Sequence, residues 1–272
     1  SAITLDAASP SPLFARGYTV IPEPQSVELT GSDFAFGADW RLVLRDEVQS
    51  NGAAVQVLRE DLASRHGIHL QTSSGSAGKT VQLMISAGSA KIGQATDRDK
   101  SKLTEEAYQL DLSPESIKIV ANATPGLLYG AETLVQLVKN HNAANWLPAG
   151  RTTDWPDLEN RFIYWGDKAH LDRPDVLRDA LHQAAFYKVN GVLLKLNAHF
   201  QYSSAPAAVE PYALTPQQLQ ELTDYGLRYH VQLIPYIDGP AHIAWILKHP
   251  EYEKLRAFPE SNYELCTTNP DS

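Results

Sequence analysis

Apolar and polar positions change rhythm along the chain, and the rhythm divides it. Residues 18–21 (Tyr-Thr-Val-Ile) are aromatic and β-branched and stop at Pro22 and Pro24, which predicts a first strand. Residues 41–45 (Arg-Leu-Val-Leu-Arg) alternate as a half-buried strand does. Val55, Leu58 and Leu62 recur at helical spacing within 47–65, and Gly67 supplies a stop. Residues 80–85 predict a third strand. Residues 107–112 and 117–120 predict a hairpin around Ser-Pro-Glu-Ser at 113–116. Thr124-Pro125-Gly126 opens a helix with Leu127, Leu128, Leu134, Leu137 and Val138 inward.

Residues 145–160 contain prolines and predict a linker. Beyond them, short apolar strands at 161–165, 192–196 and 231–237 alternate with helical patterns. The first helix takes Asp172 as its cap and Pro174 in its first turn. The second opens on a capping box, Thr215-Pro-Gln-Gln218, with Leu219, Leu222 and Leu227 inward, and a third begins within 242–248. Strands alternating with helices imply parallel βαβ units. Eight such units need ~250 residues, so the part after residue 160 holds about three. The expected organisation is a loose tail (1–16), a small α+β auxiliary domain (17–144), the linker (145–160) and the first part of an incomplete TIM (β/α)8 barrel (161–272), an α/β chain throughout. Three units leave open strand edges, so a second copy as partner, or completion by further chain, is expected.

Composition narrows the function. Of 272 residues, 43% are hydrophobic, enough for a packed core. Lys and Arg number 23 against 32 Asp and Glu, and the net charge of -9 opposes a phosphate backbone, so no nucleic-acid partner is expected. No apolar run approaches the ~20 residues that span a bilayer, so no membrane partner is expected either. The single cysteine, Cys266, excludes an internal disulfide framework and a multi-cysteine zinc site, and the histidines lack metal-ligand spacing. Residue 1 is Ser with no leader before it, which suggests a trimmed chain. Residues 73–80 imitate a phosphate loop but begin with Ser73, and read as a turn. No G-x-S-x-G elbow is present.

In a parallel α/β sheet, ligand groups gather where the strands end. The three strand ends offer Trp165 and Asp167, then Lys195, Asn197 and His199, then Asp238 and His242. Asp238-Gly-Pro-Ala-His242 is the sharpest: a carboxylate and an imidazole across a Gly-Pro turn can be aimed at one point, where the first would orient the second. The plainer reading is a turn aspartate beside a surface histidine. Trp165 either stacks on a sugar ring or packs in the core. Lys195 interrupts an apolar strand and either snorkels to its end or points into a polar barrel centre.

Several stretches resemble family 20 glycoside hydrolases, the β-N-acetylhexosaminidases. They are 107–112 (Ala-Tyr-Gln-Leu-Asp-Leu), 124–134 (Thr-Pro-Gly-Leu-Leu-Tyr-Gly-Ala-Glu-Thr-Leu), Asp154-Trp-Pro156 with Arg161, 186–190 (Phe-Tyr-Lys-Val-Asn), 231–242, and Leu265-Cys266 with Asn269-Pro270. The resemblance implies an auxiliary α/β domain before a TIM barrel that hydrolyses terminal N-acetylhexosamine. The mechanism it implies is retaining and substrate-assisted: the acetamido oxygen attacks the anomeric carbon, and an Asp-Glu pair after strand four orients that group and protonates the leaving oxygen. It implies a carbohydrate partner, no metal or organic cofactor, and a periplasmic or extracellular setting. By residue, it implies Arg161 on sugar hydroxyls, and His242 with Asp238 beside it in the network supporting the acid.

The chain departs from the family's pattern at three strands, the first of which has Tyr164-Trp-Gly-Asp167 in place of "LDVSR". Strand two exits through 193–199 (Leu-Leu-Lys-Leu-Asn-Ala-His) where the family has "HWHLTDD", and Tyr236 stands where the family has Glu. The chain stops at Ser272, before the Asp-Glu pair, so residues 1–272 are expected to be an inactive N-terminal portion of an active parent. A carbohydrate-binding or scaffolding protein that kept the fold and lost catalysis is the alternative.

Overall fold

The computed structural model describes residues 10–45, 47–75, 77–166 and 173–272. The chain forms two compact units, Ser1–Glu159 and Asn160–Ser272.

The first unit begins with a short helix α1 (Pro12–Ala15), whose Leu13 is buried, so this part of the expected tail is anchored. Strand β1 (Ser26–Ala35) follows, then β2 (Arg41–Leu44), helix α2 (Ala53–His66), β3 (Gln71–Thr72), β4 (Thr80–Ile85), a short helix α3 (Ser101–Glu105), the strands β5 (Tyr108–Leu112) and β6 (Ser116–Ala121), and helix α4 (Thr124–Leu137). Two more strands, β7 (Lys139–His141) and β8 (Ala144–Asp154), complete it. The sheet order is β1-β8-β5-β6-β4-β2-β3, with β7 hydrogen-bonded to β8. The β4, β6, β2 and β3 pairings are parallel, and the β5–β6, β5–β8 and β1–β8 pairings are antiparallel.

Two expectations need correction here. Residues 18–21 are not a strand, although Tyr18 and Val20 are buried, so their alternation marks packing rather than pairing. The expected linker 145–160 supplies most of β8, which lies between β1 and β5. Pro148 fits because its register partner lies on β1, at the site where that ladder is irregular. Gly67 ends α2 in a left-handed conformation (φ 67°), as its sequence position predicts.

Helix α4 is buried on nearly every side. Gly130 lets it lie against the sheet: a Cβ there would stand 2.5 Å from Ile119 Cγ2 and 3.1 Å from Tyr108 Cδ2. Trp40 is fully buried, with Phe34 and Phe36 against it at ring distances of 5.7 and 5.3 Å. The buried Tyr108 hydroxyl donates to Asp154 Oδ2 at 2.8 Å and meets Thr133 Oγ1, so this internal hydroxyl is paired.

The second unit contains β9 (Phe162–Trp165), α5 (Pro174–Phe186), β10 (Gly191–Lys195), α6 (Pro216–Arg228), β11 (Gln232–Tyr236) and a short helix α7 (Ala244–Leu247). Its three strands form a parallel sheet in the order β11-β10-β9. The capping box is present: Thr215 Oγ1 accepts from Gln218 N at 3.1 Å, and Gln218 Oε1 accepts from Thr215 N at 2.9 Å. Leu222 is buried but Leu227 is exposed, because Gly226 occupies the inward position one turn after Leu222. The N-cap position of α5 is Arg173; Asp172 lies outside the described residues.

Candidate functional site

Side chains alternate across a strand, so register assigns each residue a face. Tyr164, Leu193 and Ile234 are level across β9, β10 and β11, and Lys195 is level with Tyr236 one step further on. All five share one face. Val192, Leu194 and Leu233 point to the other face and are buried. Tyr164 and Tyr236 flank the central strand, their rings edge to face at 5.5 Å.

At the C-terminal edge of this face, Lys195 Nζ meets Asp238 Oδ2 at 2.6 Å. Asn197 locks the same carboxylate from the β10 exit: its Nδ2 donates to Asp238 Oδ2 at 2.7 Å, and its Oδ1 accepts from Asp238 N at 3.1 Å. Asn197 holds a left-handed backbone (φ 40°), which aims its amide across to the β11 exit. The Asp238 side chain is only 7% exposed. Burial pushes its carboxyl up, but hydrogen bonds from Lys195, Asn197 and Tyr236 and the Lys195 charge outweigh this, and the net shift is downward. The bond to Asp238 raises Lys195 more than desolvation lowers it, and Tyr164 adds to the rise. The cluster is therefore a neutral ion pair held ionised between two phenols.

The other expected residues are distributed differently. His242 takes Tyr263 as its partner, not Asp238: the phenol oxygen lies 2.9 Å from Nε2, with ring centroids at 4.8 Å. His242 has a left-handed backbone (φ 61°) and precedes α7 instead of starting it. Pairing of 241 with 264, and of Ile243 N with Tyr263 O, brings the late segment to this turn. His199 faces Glu210, Nδ1 to Oε2 3.6 Å. Trp165 is level with Leu194, on the face away from Lys195, which fits the packing reading rather than a sugar platform. Arg161 sits at the edge where the strands begin: its N donates to Asn190 Oδ1 and its Nε to Lys188 O, both at 2.8 Å, so it buttresses the turn before β10, remote from the edge that holds Asp238. Asp167 lies outside the described residues.

The sequence alone does not mark the tyrosines at 164, 236 and 263 as site residues. Register, which needs the strand pairing, marks the first two, and only the long-range fold-back marks the third. Among the described residues, no group of three or more His, Cys, Asp or Glu side chains could hold a metal ion, and no helix is long and apolar enough to cross a membrane.

Comparison with known proteins adds the family. The model described as glycosyl hydrolase family 20, domain 2, matches residues 17–155. A lacto-N-biosidase from Bifidobacterium bifidum is 22% identical over 222 residues, 81% of this chain and 19% of that protein. A β-hexosaminidase from Akkermansia muciniphila is 25% identical over 193 residues, 64% of this chain and 39% of that protein. The chain thus spans well under half the length of these curated relatives. The solved family-20 β-N-acetylhexosaminidase from Streptomyces coelicolor A3(2) shares the fold with a TM-score of 0.71 at 21% identity, covering 97% of this chain and 56% of that one.

Proposed function

The chain belongs to glycosyl hydrolase family 20, and we propose that it contributes the auxiliary domain and the first three βα units of a (β/α)8 barrel to a glycoside hydrolase that removes terminal N-acetylhexosamine. The observation that carries this reading is the cluster of Lys195, Asn197 and Asp238 between Tyr164 and Tyr236, at the strand edge where such barrels bind ligand. In this reading the two phenols give a sugar ring an amphipathic wall, and the ion pair offers hydroxyls both a donor and an acceptor. The proton donor and the acetamido-orienting carboxylate would follow a fourth strand. In this reading the substrate is a glycan met in the periplasm or outside the cell, and the protein works there.

A second reading, sugar binding without turnover, is favoured by two observations. Asp238, the carboxylate held at this edge, is neutralised by Lys195, and His242 has a phenol where a carboxylate would raise its basicity. The test is release of 4-nitrophenol from 4-nitrophenyl N-acetyl-β-glucosaminide and its galacto epimer by the full product of the gene. Turnover is expected from it and none from residues 1–272 alone. Sugar binding with no turnover by the full product would establish the second reading instead.

A further inference from the structure

The first unit has a cleft that the proposed reaction does not use. It measures about 270 Å3 and is lined by Asp33 of β1, Lys139 and His141 of β7, and Trp146 of β8. Register explains why these four meet. Trp146 pairs with Ala35 on one side and Lys139 on the other, Asp33 pairs with Pro148, and His141 is two residues from Lys139, so all four side chains stand on one face of the β1–β8–β7 ribbon.

The segment 16–18 fixes two of them. Arg16 forms an ion pair with Asp33. Lys139 Nζ donates to Arg16 O at 3.1 Å and lies 5.1 Å from the centre of the Tyr18 ring. Gly17 makes that approach possible: its φ is 76°, and a Cβ there would stand 3.0 Å from Lys139 Nζ. Asp33 therefore has a cation beside it, and Lys139 is held by a carbonyl and a ring face. The other two groups remain open. Trp146 is half-buried and His141 is exposed, and neither indole nor imidazole makes a hydrogen bond or ion pair among the described residues.

We propose that this cleft binds one neutral pyranose ring. The apolar face of a sugar stacks on the Trp146 indole, and its hydroxyls meet the imidazole of His141, the Asp33 carboxylate and the free donor positions of Lys139. A flat aromatic flanked by fixed donors and acceptors, with the Asp33 carboxylate among them, suits a polyol ring better than an anion or an apolar ligand. The volume lies just under the ~300–1,000 Å3 of drug-sized sites, and so fits a single ring. The site would hold the protein on a glycan independently of any chemistry in the second unit.

The test uses the 15N-labelled chain, with Trp146→Ala identifying the Trp146 indole N–H signal among those of the five tryptophans. N-acetylglucosamine and lactose are titrated separately, and inorganic phosphate is added as a charged control. Saturable movement of that signal with a sugar is expected, with a dissociation constant on the order of millimolar. His141→Ala should weaken the affinity roughly 2- to 10-fold, the worth of one hydrogen bond, while Lys195→Met in the second unit should leave it unchanged. A Trp146 signal that stays put through ~100 mM of both sugars, far above a millimolar constant, would overturn the proposal. So would movement with phosphate alone, or an affinity that His141→Ala leaves unchanged.

Discussion

The two sheets of this chain treat their aromatic side chains in opposite ways. The first unit encloses them: Trp40, Phe36 and Tyr108 are almost completely buried, and the Tyr108 hydroxyl is tied to Thr133 and Asp154. The second presents them: Phe162 is 44% exposed and Tyr164 53%, on the sheet face opposite the buried Val192 and Leu194. The difference follows from how each sheet is covered. In the first, α4 lies flat on the strands through Gly130 and covers them. In the second, the polar groups collect at the strand ends, where Lys195, Asn197 and Asp238 bond to one another across the exits of β10 and β11. A sheet that builds a core and a sheet that presents a wall therefore share one chain.

The largest effects should fall in the first unit. Leu134 on α4 is fully buried, and Leu134→Ala should cost about 2–5 kcal/mol, read from urea unfolding. A matched pair of glycines sharpens the contrast. At Gly130 a new side chain meets the buried Ile119 and Tyr108, so Gly130→Val should cost about 3 kcal/mol, the upper end of overpacking. At Gly191 a Cβ would stand 2.2 Å from Phe162 Cδ1, yet that ring is exposed and can swing into solvent. Gly191→Val should therefore cost less than about 1 kcal/mol, since valine also favours a strand. Equal losses at both positions would mean that the second sheet is as tightly covered as the first.

This contrast was only partly legible in the sequence. Helices α2, α4, α5 and α6, the 108–121 hairpin and the three parallel strands of the second unit follow from periodicity and turn signals, because each is a local pattern. Strand β8 was hidden by Pro148 and by residues that look like a linker, since its pairing with β1 and β5 is long-range. At the site, the sequence points to Lys195, Asn197 and Asp238 but attaches Asp238 to His242 across a four-residue turn. Asp238 instead reaches back to β10, from residue 238 to residues 195 and 197, a contact that only strand pairing creates. The misplacement of Arg161 has the same origin: a motif names a residue, but the edge on which it sits depends on strand direction.

The next effect in size is at the ion pair. Lys195→Met leaves the buried Asp238 carboxylate without its cation, and should cost about 1–3 kcal/mol, because Lys195 is itself partly exposed. The pH dependence gives the sign. The folded state holds the Asp238 carboxyl below its ordinary value, so the pair's stabilisation is complete above the unfolded value of about 3.9 and is lost as pH falls through the depressed one. In Lys195→Met that acid-side loss should shrink. Burial lowers His66 in the first unit and His230 in the second, so the unfolded chain takes up their protons first, and stability should fall in both units as pH drops below about 6.5. His66→Gln should flatten that slope in part, as measured by the urea midpoint between pH 8 and 5. A slope that His66→Gln leaves intact would assign the titration to other groups.

The smallest expected effect probes the wall itself. Phe162 is level with Gly191 and Gln232, on the same face as Tyr164, and its ring packs against the Gly191 position without being enclosed. Replacing an exposed side chain changes stability by about 0.5 kcal/mol or less, and Phe162→Ser should stay within that range even though it removes an aromatic from a sheet. The same substitution in the first unit, Phe36→Ser, would empty a buried position beside Trp40. If Phe162→Ser instead cost more than about 2 kcal/mol, the loss typical of emptying a buried site, the face would have to be covered in solution. Sedimentation over a range of concentrations then separates the two ways of covering it. A loss that appears only where the chain dimerises places a second copy on the face, and a concentration-independent loss places the chain's own residues there. An unchanged midpoint at every concentration keeps Phe162, Tyr164 and Tyr236 as an open aromatic wall beside the Lys195–Asp238 pair.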